Sequence, residues 1–281
     1  MKYETLDIEV PGQQEGPAKL AAYILDSISV APQRKRTAVI VVPGGGYWNC
    51  SDREQEPVAM RFLAMGCHAF ILNYSVAPHR FPVSLRELAL SVATIRAHAD
   101  EWNVDADRIL VCGFSAGGHL TCSLGTFWNR PVAYEALGRT AEQIKPNGLI
   151  LCYPVISSGE FCHQNSVNKL LGENPEEELV ELCSLENQVT AAMPPVFLWH
   201  TVTDETVPVE NSLLLAAAMQ KNHVDYELHI FPSGGHGLSL ATGETAGNRE
   251  RMVEPCCQSW ISLVQSWIEQ HRFGGQTLVE Y

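Results

Sequence analysis

Short and almost uninterrupted apolar runs alternate along this chain with longer stretches of helical character. Six runs rich in Val, Ile and Leu are predicted strands: residues 38–42, 69–74, 109–112, 148–153, 196–200 and 226–231. Strands that are apolar on both sides are typical of a parallel sheet buried on both faces. Two further strand-like stretches, 3–10 and 20–26, precede them. The alternation predicts an α/β fold, with a mostly parallel central sheet and helices on both faces.

The stretches between these strands carry helix signals. Ser51 and Glu54 form a capping-box pattern for a helix that ends near Gly66. Further helices are predicted over 82–102, directly after Ser115, after Pro208 and over 251–271. Residues 156–195 are polar and interrupt the rhythm, which predicts a small helical insertion over one end of the sheet. No linker divides the chain, so we expect one domain over 1–281.

Composition and charge exclude several classes of function. The formal net charge of -13 disfavours binding to nucleic acid. The chain has no apolar run of 18 residues, so we expect no membrane span. Its charged N-terminus does not resemble a signal peptide. The nine cysteines include no CxxC pair, and several lie inside apolar runs. We therefore expect free thiols and a cytoplasmic protein.

The segment GFSAG, residues 113–117, fits the pattern G-x-S-x-G between a buried strand and a predicted helix. A nucleophile elbow occupies this place, because a tight turn there lifts the serine hydroxyl above the sheet edge. Flanking glycines are required where side chains would clash, and the amide of Ala116 would point at whatever Ser115 attacks. The alternative is a glycine-rich turn whose serine only caps the helix.

A serine nucleophile needs a base, and the base needs a group that orients it. Asp204 follows the predicted strand 196–200, and His236 lies in a glycine-rich loop after the strand 226–231. Serine, acid and histidine thus follow in the order expected for a doubly wound sheet, each at the carboxyl end of a strand. The alternatives are an N-cap role for Asp204 and a plain loop position for His236.

A second glycine cluster, VVPGGGYW, follows the strand 38–42. It fits neither phosphate-binding pattern, G-x-x-x-x-G-K-[ST] or G-x-G-x-x-G. It is similar to the HGGG loop of lipases, whose backbone amides complete an oxyanion hole. Gly45 and Gly46 are the predicted donors, together with Ala116. Tyr47 and Trp48 follow at once and are candidates for the wall of an acyl or sugar pocket, with plain packing as the alternative.

These motifs together resemble the serine esterases of the α/β-hydrolase fold. The closer resemblance is to the acetyl-xylan and carbohydrate acetyl esterases, some of which are named xylanases. It is carried by PGGGYW, REQEPVAMRF, ILNYSVAP, EWNVDADRILVCGFSAGGHL, PPVFLWHTVTDETVPVENS and FPSGGHGLSL, and the resemblance runs across most of residues 37–240. Proline at position 43 and the sequence YSVAP at 74–78 depart from the hormone-sensitive lipase group and favour the carbohydrate esterases.

The resemblance implies a two-step acyl transfer with Ser115 as nucleophile, His236 as base and Asp204 as the residue that orients it. It implies a small-molecule ester substrate with a short acyl group, such as an acetylated xylo-oligosaccharide, and neither a metal nor an organic cofactor. A homodimer is compatible with such a fold. Two alternatives stay open: an amidase or peptidase with the same triad, as in arylformamidases, and a catalytically inactive binding module.

Overall fold

The chain forms an eight-stranded sheet in a computed structural model that describes residues 1–32 and 34–271. The strands are β1 Lys2–Ile8, β2 Ala18–Ile24, β3 Arg36–Val42, β4 His68–Asn73, β5 Val104–Phe114, β6 Gly148–Cys152, β7 Val196–Thr201 and β8 Tyr226–Phe231. Their order across the sheet is β1-β2-β4-β3-β5-β6-β7-β8. Strands β3 to β8 run parallel, whereas β1 and β2 form an antiparallel edge. The prediction of a mostly parallel sheet is confirmed.

Ten helices connect and cover the strands in the described part of the chain. They are α1 Glu56–Ala64, α2 Val83–Ala97, α3 Ala116–Phe127, α4 Pro131–Tyr134, α5 Ala141–Ile144, α6 Gln164–Leu171, α7 Glu177–Leu182, α8 Glu210–Lys221, α9 Gly243–Ala246 and α10 Trp260–Gln270. Helices α2, α3 and α8 contribute to the core on one face of the sheet. Helices α1 and α10 contribute to the core on the other face, so the prediction of helices on both faces is confirmed.

Strand β3 shows why the run over residues 38–42 is apolar throughout. Successive side chains of a strand point to opposite faces. Ala38, Ile40 and Val42 accordingly join the core under α2 and α3, whereas Val39 and Val41 join the core under α1 and α10. Every residue of β3 is buried, and a polar residue at any of these positions would lose its hydration.

The predicted capping box at Ser51 and Glu54 is wrong. Ser51 makes no side-chain cap hydrogen bond, and residues Asp52–Glu54 form a 3₁₀ turn. Helix α1 begins only at Glu56, where a proline occupies the first turn. The Glu54 carboxylate instead accepts hydrogen bonds from residues of other loops. The predicted last helix also begins later, at Trp260, because two 3₁₀ turns occupy part of 251–259.

The segment 156–195 between β6 and β7 contains α6 and α7, as the insertion was predicted to. Its apolar residues Leu170 and Leu185 join the core on the α3 side. The segment is held by Asn211 of α8, whose Oδ1 accepts the amides of Ile156 and Ser157, each at 2.9 Å. The C-terminal residues 274–281, for which a loose or interface-bound tail was considered, lie outside the described residues.

Candidate active site

Ser115 occupies a sharp turn between β5 and α3. Its backbone is strained, with φ 53° and ψ -118°, which costs a non-glycine residue about 1–3 kcal/mol. The end of β6 and the segment after it hold this conformation, because the Ser115 amide donates to Cys152 O at 3.0 Å and the Val155 amide donates to Ser115 O at 3.1 Å. The Ser115 side chain makes no cap hydrogen bond to α3. The alternative of a serine that only caps the helix therefore does not describe the structure.

The glycines around Ser115 are required by close backbone contacts. A Cβ atom on Gly113 would lie 2.2 Å from Gly117 O, and one on Gly117 would lie 2.2 Å from Val42 O. Contacts this short exclude any side chain at either position. Because Gly113 and Gly117 have no side chains, β3, β5 and the first turn of α3 can approach one another closely at Ser115.

The structure brings Ser115, His236 and Asp204 together. Ser115 Oγ lies 2.7 Å from His236 Nε2, and His236 Nδ1 lies 2.7 Å from Asp204 Oδ2. A carboxylate only accepts, so His236 carries its proton on Nδ1 and its Nε2 accepts from the Ser115 hydroxyl. Ser115 is 6% exposed and Asp204 is 5% exposed, so water reaches this chain of hydrogen bonds from the His236 side.

Asp204 is held as a carboxylate by a set of donors. Burial alone would raise its pKa, but hydrogen bonds from His200, His236 and the Val207 amide together hold the pKa of Asp204 well below its ordinary value. Asp204 Oδ1 accepts the amides of Thr206 and Val207, each at 3.0 Å. Asp204 therefore orders the turn before α8 with one oxygen and orients His236 with the other.

His200 supports the acid through contacts on both sides of its ring. Its Nε2 donates to Val207 O at 2.9 Å and lies 3.3 Å from Asp204 Oδ2. Its Nδ1 lies 2.7 Å from the Ser212 hydroxyl of α8, which donates to it. The imidazole thus ties the Asp204 turn to β7 and α8.

The glycine loop after β3 leaves two amides available. The Gly44 amide donates to Glu54 Oε2 at 2.8 Å. The carbonyls of Gly44 and Gly45 accept from Ser51, Trp48 and Asn49. The amides of Gly45 and Gly46, the two predicted donors, have no acceptor among the described residues, and both glycines line the cavity that contains Ser115.

The cavity above Ser115 and His236 has a volume of about 680 Å³. Trp48 lines it with a ring that is 63% exposed, and Lys169 Nζ lies 4.6 Å from the ring centroid. Tyr47 is only 2% exposed and does not line the cavity. Its hydroxyl lies 2.9 Å from His119 Nδ1, so the expectation that Tyr47 walls the pocket is corrected to a packing role.

His163 and Asn165, which were not among the predicted site residues, also line the cavity. They lie at the start of α6, so the insertion forms one wall. His163 Nδ1 lies 2.8 Å from Ser166 Oγ, and burial together with the nearby His236 lowers its pKa. Arg53 and Arg249 add two cations to the lining. No motif surrounds these residues, and only their place in the insertion or after the glycine loop could have suggested them.

The match to a family model covers residues 26–219, which is more than half of the chain. The chain belongs to the BD-FAE family. A solved structure with which this BD-FAE protein aligns well is an acetyl ester-xyloside bifunctional hydrolase from Caldicellulosiruptor lactoaceticus. The two share 37% identity at a TM-score of 0.83, over 97% of each chain. The α/β-hydrolase fold is thereby confirmed.

Two curated relatives carry names from xylan metabolism. One is endo-1,4-beta-xylanase B of Butyrivibrio fibrisolvens, 40% identical over 75% of this BD-FAE chain and 34% of the relative. The other is acetylxylan esterase of Xylanibacter ruminicola, 29% identical over 73% of this chain and 42% of the relative. The chain thus spans less than half the length of these relatives. The family to which it belongs is one of α/β-hydrolase esterases.

Within the described residues of the BD-FAE protein, no helix has both the length and the apolar character that crossing a membrane requires.

Proposed function

We propose that the protein is a serine carboxylesterase that removes short acyl groups, acetyl above all, from acetylated sugars such as xylo-oligosaccharides. The observation that carries the proposal is the continuous hydrogen-bond chain from Ser115 through His236 to Asp204, with both distances at 2.7 Å. It opens onto a cavity where two backbone amides lack acceptors among the described residues. The esterase names of the relatives support the reaction type.

In the proposed mechanism His236 Nε2 takes the proton of Ser115 as its Oγ attacks the ester carbonyl. Asp204 keeps the other imidazole proton on Nδ1 and stabilises the charge that develops on the ring. The amides of Gly45, Gly46 and Ala116 donate to the oxyanion, and each such donor can lower the barrier by about 2.7–4 kcal/mol. His236 then protonates the leaving alcohol, and water releases the acid in the second step. The mechanism uses no metal and no organic cofactor.

The polar character of the cavity favours a sugar as the alcohol part of the ester. His163, Asn165 and Arg249 offer hydrogen-bond donors around an exposed Trp48 ring, and an aromatic ring of this kind packs against the apolar face of a pyranose. A small-molecule ester is thus the proposed partner. A cytoplasmic location and a homodimer stay predictions, and the nine cysteines, which are free thiols in the structure, favour the former.

The first experiment compares hydrolysis of p-nitrophenyl acetate by wild type, Ser115→Ala and Ser123→Ala. Ser123 is buried in α3 and does not line the cavity, so it controls for the same substitution in the same helix. We expect kcat/KM to fall roughly a thousandfold or more in Ser115→Ala and to persist in Ser123→Ala. Equal rates in Ser115→Ala and wild type would overturn the proposal.

A substrate panel then separates the alternatives. Faster hydrolysis of acetylated xylo-oligosaccharides and acetyl esters than of formyl and peptidyl amides supports the esterase. The reverse order would establish an amidase. Failure of Ser115 to react with a fluorophosphonate probe would favour an inactive binding module.

A further inference from the structure

Glu54 is a buried carboxyl at the wall of the cavity and has no role in the mechanism above. Its side chain is 3% exposed, yet Glu54 lines the same cavity as Ser115 and His236. Its Oε2 accepts the Gly44 amide at 2.8 Å, and its Oε1 accepts the Tyr153 hydroxyl at 2.7 Å. A buried carboxyl is unfavourable unless such partners compensate for its lost hydration. The presence of Glu54 at this position therefore needs an explanation.

Burial raises the pKa of Glu54, whereas the hydrogen bonds from Tyr153 and Gly44 lower it, so these bonds favour the ionised form. The Gly44 amide can only donate, so Oε2 must accept. The Tyr153 hydroxyl already accepts the Ser239 amide at 2.8 Å, which leaves its proton free to be donated to Oε1. With the Tyr153 hydroxyl as donor, both oxygens of Glu54 accept hydrogen bonds, which is the arrangement of a carboxylate.

The two donors belong to the two loops on which the proposed mechanism depends. Gly44 precedes the predicted oxyanion donors and packs on the nucleophile, because a Cβ on Gly44 would lie 3.0 Å from Ser115 Cβ. The Tyr153 ring meets the His236 ring edge-on, at 5.2 Å between centroids and 73° between planes. Ser239, bound to the Tyr153 hydroxyl, lies three residues beyond His236 in the same loop. Glu54 therefore links the glycine loop to the histidine loop.

We propose that Glu54 is a positioning residue that fixes the glycine loop against Ser115 and places a negative charge near His236. The inference rests on the proposed function, since it concerns the same reaction. The charge favours the imidazolium that forms when Ser115 attacks, and the bond to Gly44 sets the direction of the amides that follow it in the loop.

Several titratable groups lie around Glu54 and His236. Around Glu54 the groups with which it interacts through hydrogen bonds or charge are Arg53, Tyr74, Cys50, Cys152, Tyr153 and His236. His236 is faced by Asp204, Glu54 and His163. Of these groups only Asp204 and Glu54 place a carboxylate near the imidazole. Removing the charge of Glu54 therefore removes one of the two carboxylates that favour the imidazolium of His236 over the neutral ring.

The test uses three variants of the full chain. Glu54→Gln keeps the length of the side chain and removes the charge, whereas Glu54→Asp keeps the charge and withdraws it by one methylene. Glu87→Gln is the matched control, because Glu87 is also fully buried and bound by donors, here Ser75 and Gln13, neither of which lines the cavity. For each variant we measure thermal unfolding and the pH profile of kcat and KM with p-nitrophenyl acetate.

We expect Glu54→Gln to lower kcat tenfold or more with little change in KM, and to move the acid limb of kcat/KM to lower pH by roughly half a unit or more. Glu54→Asp should lose activity with its acid limb unmoved, since it keeps the charge but cannot reach both donors. Glu87→Gln should lose stability only. An acid limb that does not move in Glu54→Gln, or wild-type kcat in Glu54→Asp, would overturn the proposal.

The Ser115→Ala comparison distinguishes failure of the proposed function from failure of the inference about Glu54. If Ser115→Ala is inactive and the Glu54 variants match wild type, the proposed function stands and only this inference fails. If Ser115→Ala is as active as wild type, both fail. Should Glu54→Gln not fold, Glu54→Asp alone decides whether the link between the loops matters for kcat.

Discussion

At the scale of single residues, two side chains adjacent in the sequence can differ completely in burial. Tyr47 has φ 57° and turns into the core against His119, whereas Trp48 is exposed at the cavity. We predict that Trp48→Ala raises KM for an acetylated xylo-oligosaccharide about tenfold, because the sugar loses the ring on which it packs. KM for p-nitrophenyl acetate, which has no sugar, should change little. Equal effects on the two substrates would show that Trp48 supports the fold or the acyl site instead.

His119 supplies a pH-dependent stability. Burial lowers its pKa from 6.5 to about 4, so the folded protein keeps the imidazole neutral where the unfolded chain binds a proton. The stability that this contributes is complete above pH 6.5 and is lost as the pH falls from 6.5 to about 4. Between pH 7 and pH 5, wild type should lose about 2 kcal/mol more unfolding free energy than His119→Gln. Urea unfolding at both pH values measures this, and identical pH dependence would contradict it.

At the scale of elements, the turn between β5 and α3 depends on glycine. A Cβ on Gly117 would lie 2.2 Å from Val42 O, at the end of β3, and 2.4 Å from Pro43 O, at the start of the glycine loop. Both are backbone atoms, which cannot move aside as a flexible side chain could. We predict that Gly117→Ala lowers the unfolding free energy by about 3 kcal/mol or more and abolishes activity. Gly243→Ala is the control, because a Cβ there meets nothing within 4 Å. A Gly117→Ala protein as stable as Gly243→Ala would show that the strands can separate at this point.

At the scale of the whole molecule, both ends of the described chain are tied to one sheet. Strand β1 forms one edge of it, and α10 packs on β7 through Trp199 and Trp260, whose ring centroids lie 5.6 Å apart. The single domain over 1–281 remains a prediction, and this arrangement favours it. We expect urea to unfold the protein in one transition, with the same midpoint by tryptophan fluorescence and by far-ultraviolet circular dichroism. Two separated midpoints would indicate units that unfold independently.

The sequence predicted the fold where one local signal is enough. A strand buried on both faces requires a continuous apolar run, so β6 was predicted to within one residue. The partly buried edge strand β8 was predicted with its observed bounds. The positions of Ser115, Asp204 and His236 followed from the rule that sites form at the carboxyl ends of parallel strands. These features depend on the residues of one element or on the order of elements.

Features that depend on distant partners were missed. Ser51 and Glu54 have the spacing of a capping box, but Gly44 and Tyr153 offer Glu54 better donors from loops that only the fold brings near. His163 reaches the cavity because the insertion folds back over the sheet, and nothing in its neighbours along the chain encodes that path. A local pattern cannot choose between a nearby and a remote hydrogen-bond partner.

The three candidate catalytic side chains follow three different strands, and the last of these strands has a neighbour on one side only. Ser115 follows β5, Asp204 follows β7 and His236 follows β8, which pairs with β7 at the edge of the sheet and is only partly buried. A slip of β8 by one residue would displace it by about 3.3 Å, more than either hydrogen bond of His236 can tolerate. We therefore expect mild denaturant to abolish activity before the protein unfolds. The loss of turnover would then report displacement of β8 at the edge of the sheet.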